Sequence, residues 1–404
     1  MAVALKPSES VDWSRKIDRR IYHDPEIYRT ELDRIFRRSW IFAGLANELK
    51  QPGDFLTTTV GEEPVIVARD NKGQLQAFYN TCTHRAAMLT CEQRGNCPAF
   101  RCIYHGWTFN LEGRLTGVPY PDAYGEDFCK EDFDIPPVYV EEFAGLVFVA
   151  LEPAVPSLAD FLGEAKEHLE KYASGTEVLG RVRWRYPGNW KLWHENFGDN
   201  YHPEFVHKFV GAGYKGVDVT GSNHQLDDGH GIMLFPSQRQ MPQIQAALSE
   251  VLGQEIDFKK NPLYALPPFP VDFGDKHAIL TVFPTFDLQY FLGRIGTIIQ
   301  VLHPEGPSST IVELLALGYA GEPPEVRQWR LARSVDTQTS AGKISGDDDE
   351  AMRRVQGGVR ARAVPISDMS RGQAPGKVGE KRDEYSLRSF YRGWHMYMGD
   401  GTLP

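Results

Sequence analysis

Cys82-Thr83-His84 and, seventeen residues further on, Cys102-Ile103-Tyr104-His105 are the stretch that decides how this chain is read. Two thiolates and two imidazoles arrive on two short prongs, each supplying one Cys and one His. A structural zinc site collects its cysteines as C-x2-4-C. Mixed prongs suit a two-iron cluster in which one iron takes two thiolates and the other two imidazoles. Exchanging two anionic thiolates for neutral imidazoles lowers the negative charge on such a cluster and raises its potential, so it passes single electrons at moderate potential. The competing reading of the four residues is a zinc clip, which the Cys-x-His order disfavours.

Around this stretch the chain reads as a packed enzyme. Its 404 residues, 41% hydrophobic and 24% charged, leave room for two domains with sizeable cores. A formal charge of -10 and the absence of basic runs argue against nucleic acid or an anionic membrane as partner. Cys91, Cys97 and Cys129 form an odd remainder without regular spacing, which points to reduced thiols and a cytoplasmic setting. Met1 to Arg20 mixes charges with Pro7 and Ser8, so no signal peptide is expected, and no apolar run approaches the roughly 18 residues of a membrane span.

The expected organisation is a helical segment over 1–43, a β-rich domain over 44–155 and an α+β domain over 156–404. Asp24 caps and Pro25 opens a helix that runs to about Ser39, with Tyr28, Leu32, Ile35 and Phe36 at helical spacing. Leu56–Val60, Pro64–Ala68 and Leu75–Tyr79 read as strands, the last two joined by the turn Asp70-Asn71-Lys72-Gly73. Gly145–Val149 is a closing strand, and Pro153, Pro156 and Ser157 mark a linker. Beyond it, helices are expected over Leu158–Tyr172, Asn189 to about Tyr201, Pro324–Val335 and Asp347–Ala361. Arg181–Tyr186 reads as a strand, a meander follows from Ala278–Phe283, Gly296–Leu302 and Thr310–Leu317, and Ser370–Lys381 reads as a mobile surface loop.

A second constellation is Glu195-Asn196-Phe197-Gly198-Asp199-Asn200-Tyr201-His202-Pro203-Glu204-Phe205-Val206-His207. On an unbroken helix His202 and His207 would point about 140° apart, too far to share one ion. Pro203 disfavours helical geometry at His202, so a break between the two histidines is expected to turn both inward. Two satisfied structural histidines are the competing reading. An iron that binds O2 on a facial triad also needs a carboxylate. Asp347-Asp348-Asp349-Glu350 opens a helix, where acids also serve the helix dipole. Asp348 shares its face with Met352, Val355 and Val359, and an acid among apolar neighbours is costly unless paired or metal-bound, which makes Asp348 the candidate ligand.

Cys82-Thr83-His84, Cys102-Ile103-Tyr104-His105-Gly106-Trp107, Asn189-Trp190-Lys191-Leu192 and the Glu195–His207 stretch together resemble the α subunits of Rieske non-haem iron ring-hydroxylating oxygenases. The resemblance covers nearly the whole chain. It implies a small antiparallel β-barrel carrying a [2Fe-2S] Rieske cluster on Cys82, His84, Cys102 and His105, and a helix-grip catalytic domain with which the N-terminal segment packs. It implies mononuclear Fe(II) on His202, His207 and a carboxylate of a D-D-x-E stretch followed by Gln, matched by Asp348 with Gln356; Asp347 is the runner-up. No extra Cys accompanies the prongs as it does in respiratory Rieske proteins. The family assembles rings, usually trimers, and Asp199 resembles the carboxylate that links His202 to the cluster ligand His105 of the next subunit. No G-x-G-x-x-G follows a strand, so electrons come from a separate reductase or ferredoxin. A small β subunit can accompany such chains. The implied reaction is dihydroxylation or monohydroxylation of an aromatic ring, and the wording of the Glu195–His202 stretch is closest to the benzoate, salicylate and terephthalate branches. Tyr264, Phe269, Phe273, Phe283, Phe286, Tyr290 and Phe291 are candidates for pocket or core, and Arg294 or Arg388 for a carboxylate anchor. An electron carrier without oxygen chemistry is the alternative; it would need no second metal.

Overall fold

A computed structural model of the chain describes residues 15–153, 155–207, 221–236, 246, 249–250, 255, 276–291, 296–372 and 375–399. Two compact units divide it: Phe36–Phe161, and Met1–Ile35 together with Leu162–Pro404.

The first unit is a small antiparallel β domain. Its strands are β1 (Ile41–Leu45), β2 (Asp54–Val60), β3 (Glu63–Arg69), β4 (Leu75–Tyr79), β5 (Arg94–Asn96), β6 (Phe100–Arg101), β7 (Thr108–Phe109), β8 (Leu115–Gly117), β9 (Pro137–Phe143) and β10 (Leu146–Ala150). Seven of them pair in the order β1-β10-β9-β4-β3-β2-β5, and β6-β7-β8 form a second sheet. The expected turn after β3 is present: Asp70 Oδ1 accepts from the Lys72 and Gln74 N–H groups at 2.8 Å, and Gly73 takes φ +79°. Ile66, Phe78, Phe100, Trp107 and Phe109 form a core that also encloses Cys82 and Cys102.

The second unit is α+β. Eight antiparallel strands, β11 (Thr176–Tyr186), β12 (Ser222–Gln225), β13 (Gly231–Pro236), β14 (Lys276–Val282), β15 (Phe286–Phe291), β16 (Gly296–Gly306), β17 (Ser309–Tyr319) and β18 (Val378–Glu380), run in the order β11-β17-β16-β15-β14-β13-β12-β18. Its helices are α1 (Pro25–Glu31), α3 (Ala165–Ala173), α4 (Trp190–Gly198), α5 (Pro203–Val206), α6 (Pro324–Gln338), α7 (Ser345–Gly358) and α8 (Tyr385–Met398), while α2 (Leu158–Leu162) closes the first unit. Asp24 caps α1 through the Glu26 N–H, and Asn189 caps α4 through the Lys191 N–H.

Several expectations need correction. The helix expected to run to Ser39 stays α-helical only to Glu31 and continues as a π-helical turn over Leu32–Phe36. Leu158–Tyr172 is two helices, because Gly163 takes φ +45° between them. β15 and α8 have no counterpart among the elements read from sequence. The end of Ser370–Lys381 is a strand, Val378–Glu380, paired with Ser222–His224 rather than loose. The break near the histidines comes at Asp199 (φ -105°, ψ 128°), not between His202 and His207. His202 is helical (φ -63°, ψ -31°) with Pro203 at the first position of a new turn, where a missing N–H costs nothing.

Candidate metal centres

The two prongs are one backbone turn used twice. The Cys82 N–H donates to the Ala87 carbonyl and the Ala86 N–H to the Cys82 carbonyl, each at 2.8 Å; Cys102 with Trp107 (2.8 Å) and Gly106 with Cys102 (3.0 Å) repeat the pattern. Both turns need a left-handed residue at the fifth position, filled by Ala86 at φ +57° and Gly106 at φ +73°. Cys82 and Cys102 are buried in the same core, and burial pushes the Cys82 thiol up. The His84 and His105 rings approach to 4.5 Å, while His84 stacks on Trp107 at 4.8 Å and 9°. Thr83 Oγ1 donates to the Phe133 carbonyl at 2.7 Å, and Arg85 of the first prong lies over Tyr104 of the second. The buried His84 Nδ1 has no hydrogen-bond partner among the described residues. Two adjacent thiols facing two adjacent imidazoles, one with an orphaned nitrogen, fit a cluster with two Cys and two His ligands.

In the second unit His202, His207 and Asp348 offer one ligand atom each, all within 4.8 Å of one another. Asp348 Oδ1 lies 3.4 Å from His202 Nε2 and 3.2 Å from His207 Nε2. That oxygen is buried and makes no hydrogen bond among the described residues, as expected of an atom reserved for a cation. Asp347, the runner-up, is half exposed and reaches His207 only through Nδ1 at 3.8 Å. Asp349 pairs with Arg353 at 2.9 Å. The face expected to be apolar is so only in part: Val359 is buried and Met352 half-buried, but Val355 is exposed, and Ser345 and Gln356 are buried beside Asp348 on α7. The Gln356 carbonyl oxygen accepts from the Asn189 N–H at 2.8 Å, which ties α7 to the start of α4.

Asp199 sits where α4 ends. Its Oδ1 accepts from the Tyr201 N–H (2.7 Å), and its Oδ2 from the His202 N–H (3.2 Å) while lying 3.1 Å from His202 Nδ1. One carboxylate therefore shapes the break and orients the ring, which leaves Nε2 facing Asp348. Burial opposes charge on His202, but the hydrogen bond to Asp199 and the nearby Asp348 carboxylate prevail, and its pKa is pushed up to about 9. Burial lowers that of His207. The cluster of carboxylates and imidazoles favours a positive charge at its centre.

Groups that the sequence reading did not single out brace this site. Glu31, fully buried on α1, accepts from Lys191 Nζ (2.6 Å), Trp394 Nε1 (2.8 Å) and Trp190 Nε1 (3.1 Å). Ile27, Tyr28 and Glu31 are the buried residues of α1, so an acid on an apolar helical stripe was the available signal. Tyr22 and Tyr391 hydroxyls meet at 2.7 Å, and Tyr391 donates to Glu195, whose pKa burial pushes up to about 7. Arg388 is occupied by the backbone carbonyls of Met369, Arg371 and Gly372 and by the face of Tyr385, so it does not act as a carboxylate anchor. Phe283, Phe286 and Tyr290 are buried, Tyr290 stacking on Tyr172. Tyr264, Phe269, Phe273 and Arg294 lie outside the described residues, as does the side chain of Phe291.

Comparison with known proteins gives one match in each half of the chain. A Rieske [2Fe-2S] domain matches residues 39–142, and the catalytic domain of the ring hydroxylating alpha subunit matches residues 167–400. The chain is 30% identical to the anthranilate 1,2-dioxygenase large subunit of Acinetobacter baylyi, over 95% of this chain and 85% of that protein. It is 32% identical to the terephthalate 1,2-dioxygenase terminal oxygenase component subunit alpha 2 of Comamonas sp., with 94% of each covered. Its fold is similar to that of naphthalene 1,2-dioxygenase from Rhodococcus sp. bound to indole, with a TM-score of 0.80, 26% identity and coverage of 96% of this chain and 94% of that one.

Proposed function

We infer that this chain, which belongs to the Rieske ring-hydroxylating oxygenase α subunits, uses Cys82, His84, Cys102 and His105 to hold its [2Fe-2S] cluster and His202, His207 and Asp348 to hold its mononuclear iron. The protein is an oxidoreductase, the terminal oxygenase component that hydroxylates an aromatic ring, and proteins of this family oligomerise and take electrons from a reductase or ferredoxin. The observation that carries the residue assignment is the convergence of three ligand atoms within 4.8 Å around a buried, unbonded carboxylate oxygen. When bound, the cluster supplies single electrons and the iron supplies the site of O2 activation.

The protein's own groups set that chemistry up. Asp199 keeps the His202 Nδ1 side in a hydrogen bond, which fixes the tautomer and aims Nε2 at Asp348. With two imidazoles and one carboxylate from one side, the opposite side of the site is left for O2 and substrate. In this reading the cluster domain, expected over 44–155, is the unit Phe36–Phe161, the catalytic domain, expected over 156–404, starts at Leu162, and of the expected 1–43 segment only the part up to Ile35 belongs with the catalytic domain. Three chains form a ring, and a small β subunit can join it. Asp199 then links His202 to His105 of a neighbouring subunit; its side chain keeps 23% exposure, and His105 lies beside the exposed Ile103 and Tyr104. The substrate is an aromatic ring, and the two relatives named for anthranilate and terephthalate make a ring carrying a carboxylate the first candidate. Among the described residues no helix is long and apolar enough to cross a membrane, and the cytoplasm is the compartment we assign.

Iron and acid-labile sulfide analysis with visible absorption tests the metal assignment. His202→Ala should keep the cluster absorption and lose product formation with its reductase; retained turnover would sink the ligand role. Asp199→Asn should retain both metals yet slow electron delivery at least tenfold, and unchanged turnover would remove its bridging role.

A further inference from the structure

Each imidazole of the second centre meets a carboxylate at both ends. His202 and His207 turn their Nε2 atoms to Asp348 Oδ1, at 3.4 and 3.2 Å. On the far side of His202, Asp199 Oδ2 lies 3.1 Å from Nδ1. On the far side of His207 stands Asp347, whose Oδ2 lies 3.8 Å from Nδ1. That nitrogen is buried and has no hydrogen-bond partner among the described residues. Asp347 is the first of four consecutive acids at the start of α7, and the other three are engaged. Asp348 faces both imidazoles, Asp349 pairs with Arg353 at 2.9 Å, and Glu350 pairs with Arg354 at 2.7 Å.

A nitrogen that holds a metal must keep its lone pair, so an imidazole bound through Nε2 carries its proton on Nδ1. For His202 an acceptor for that proton is in place. For His207 the N–H sits buried and unbonded, a state that folded proteins seldom keep. A shortening of about 0.8 Å brings the Asp347 oxygen into hydrogen-bond range. Asp347 is half exposed and pairs with no Lys or Arg among the described residues, so turning its carboxylate breaks no such pair. The helix dipole accounts for an acid in the first turn of α7, but not for an oxygen beside the unbonded nitrogen of His207.

We propose that Asp347 is a positioning residue: when the ion binds, its carboxylate accepts the Nδ1–H of His207, as Asp199 does for His202, and so fixes the tautomer and aims Nε2 at the site. The inference rests on the ligand assignment above and deepens it. Two neighbouring acids on α7 divide the work, Asp348 binding the ion and Asp347 holding one of its ligands. Partners of this kind behind a metal-binding imidazole raise metal affinity about 10–100-fold.

Co(II) is the probe, titrated by calorimetry into the full chain with its cluster in place and its mononuclear iron removed. Asp347→Ala should weaken Co(II) binding at least tenfold. Asp347→Asn keeps an acceptor oxygen and loses only the charge, so it should stay within threefold of the native protein. Should Asp347→Ala fail to fold, Asp347→Leu decides by the same tenfold loss. Native affinity in Asp347→Ala or Asp347→Leu overturns the proposal, and a lower melting temperature beside that native affinity marks a purely structural acid. Equal losses in Asp347→Ala and Asp347→Asn also overturn it, since they mark a charge effect without a hydrogen bond. Asp348→Ala reports separately on the ligand assignment and should abolish Co(II) binding. Binding that survives Asp348→Ala overturns the assignment and this proposal with it; binding lost there but native in Asp347→Ala overturns this proposal alone.

Discussion

Glu31→Gln isolates the contact that anchors α4 from behind. In the native protein Glu31 and Lys191 are both fully buried, 2.6 Å apart, and the same carboxylate accepts two indole N–H groups. The amide retains an acceptor for the indoles but leaves the Lys191 ammonium without its counterion. Removing one partner of a buried pair costs about 3–5 kcal/mol. A ceiling follows from Lys191 itself, since it can release its proton: from the ordinary lysine value of 10.5 to pH 7 that costs about 5 kcal/mol at 1.36 kcal/mol per unit. The ceiling drops as pH rises, so the deficit of the variant should shrink by about 1.4 kcal/mol per pH unit above 7 and reach about 2 kcal/mol at pH 9. Glu31→Gln with Lys191→Met should recover most of the loss, because no charge is then buried. Urea unfolding followed by near-UV circular dichroism reads it, as Trp190 and Trp394 report on the pair directly. A deficit under about 1 kcal/mol at pH 7, or a double variant no more stable than the single, would refute the reasoning.

Asp348→Asn should lose mononuclear iron and turnover with the cluster spectrum intact, whereas Asp347→Asn should retain iron and lose less than threefold in kcat/KM; the reverse pattern would exchange the two residues. Burial holds Glu195 at about 7 against 4.5 for an ordinary glutamate, so the folded state binds a proton that the unfolded state has lost between those values. The stability this contributes is fully present below about pH 4.5 and is lost as pH rises through 7, by about 3 kcal/mol in all; in Glu195→Gln that slope should vanish from the pH dependence of urea midpoints. Gly106→Ala should cost about 1 kcal/mol or more, since its φ is +73° and a Cβ would meet Pro119 Cγ at 3.1 Å, while Ala86→Gly at the equivalent position should change stability by less than about 0.5 kcal/mol. Equal effects in a thermal melt would contradict the shared turn.

What could be read from the sequence was what is local. The two prongs lie about twenty residues apart, and their chemistry is written in the residue types themselves, so a Rieske domain was legible and its four ligands could be proposed. The strands up to Tyr79 followed from alternation and one turn. His202 and His207 were legible as candidates, yet the site of the chain break was not, because the decisive element is the Asp199 side chain bonding the two N–H groups that follow it rather than the proline. Asp348 was selected on a face thought apolar that is mixed: Val359 is buried there, Val355 is exposed, and Ser345 and Gln356 are buried beside the carboxylate. α8 escaped notice since Glu384 offers no side-chain cap, and its Tyr, Phe and Trp side chains suit strands equally well. Glu31 and Lys191 are separated by 160 residues, and nothing in either neighbourhood names the other.

The duplicated turn around the cluster cysteines has a consequence for upkeep. Each prong is closed by two backbone hydrogen bonds of its own and stands on a packed core that includes Phe78, Phe100 and Trp107. The conformational entropy of gathering four ligands is therefore met when the polypeptide folds, unlike a zinc finger that orders only around its ion. With Cys82, His84, Cys102 and His105 proposed as the ligands, a chain freed of its cluster is expected to keep this receptacle and to accept a new cluster without unfolding, which amide hydrogen exchange before and after reconstitution checks.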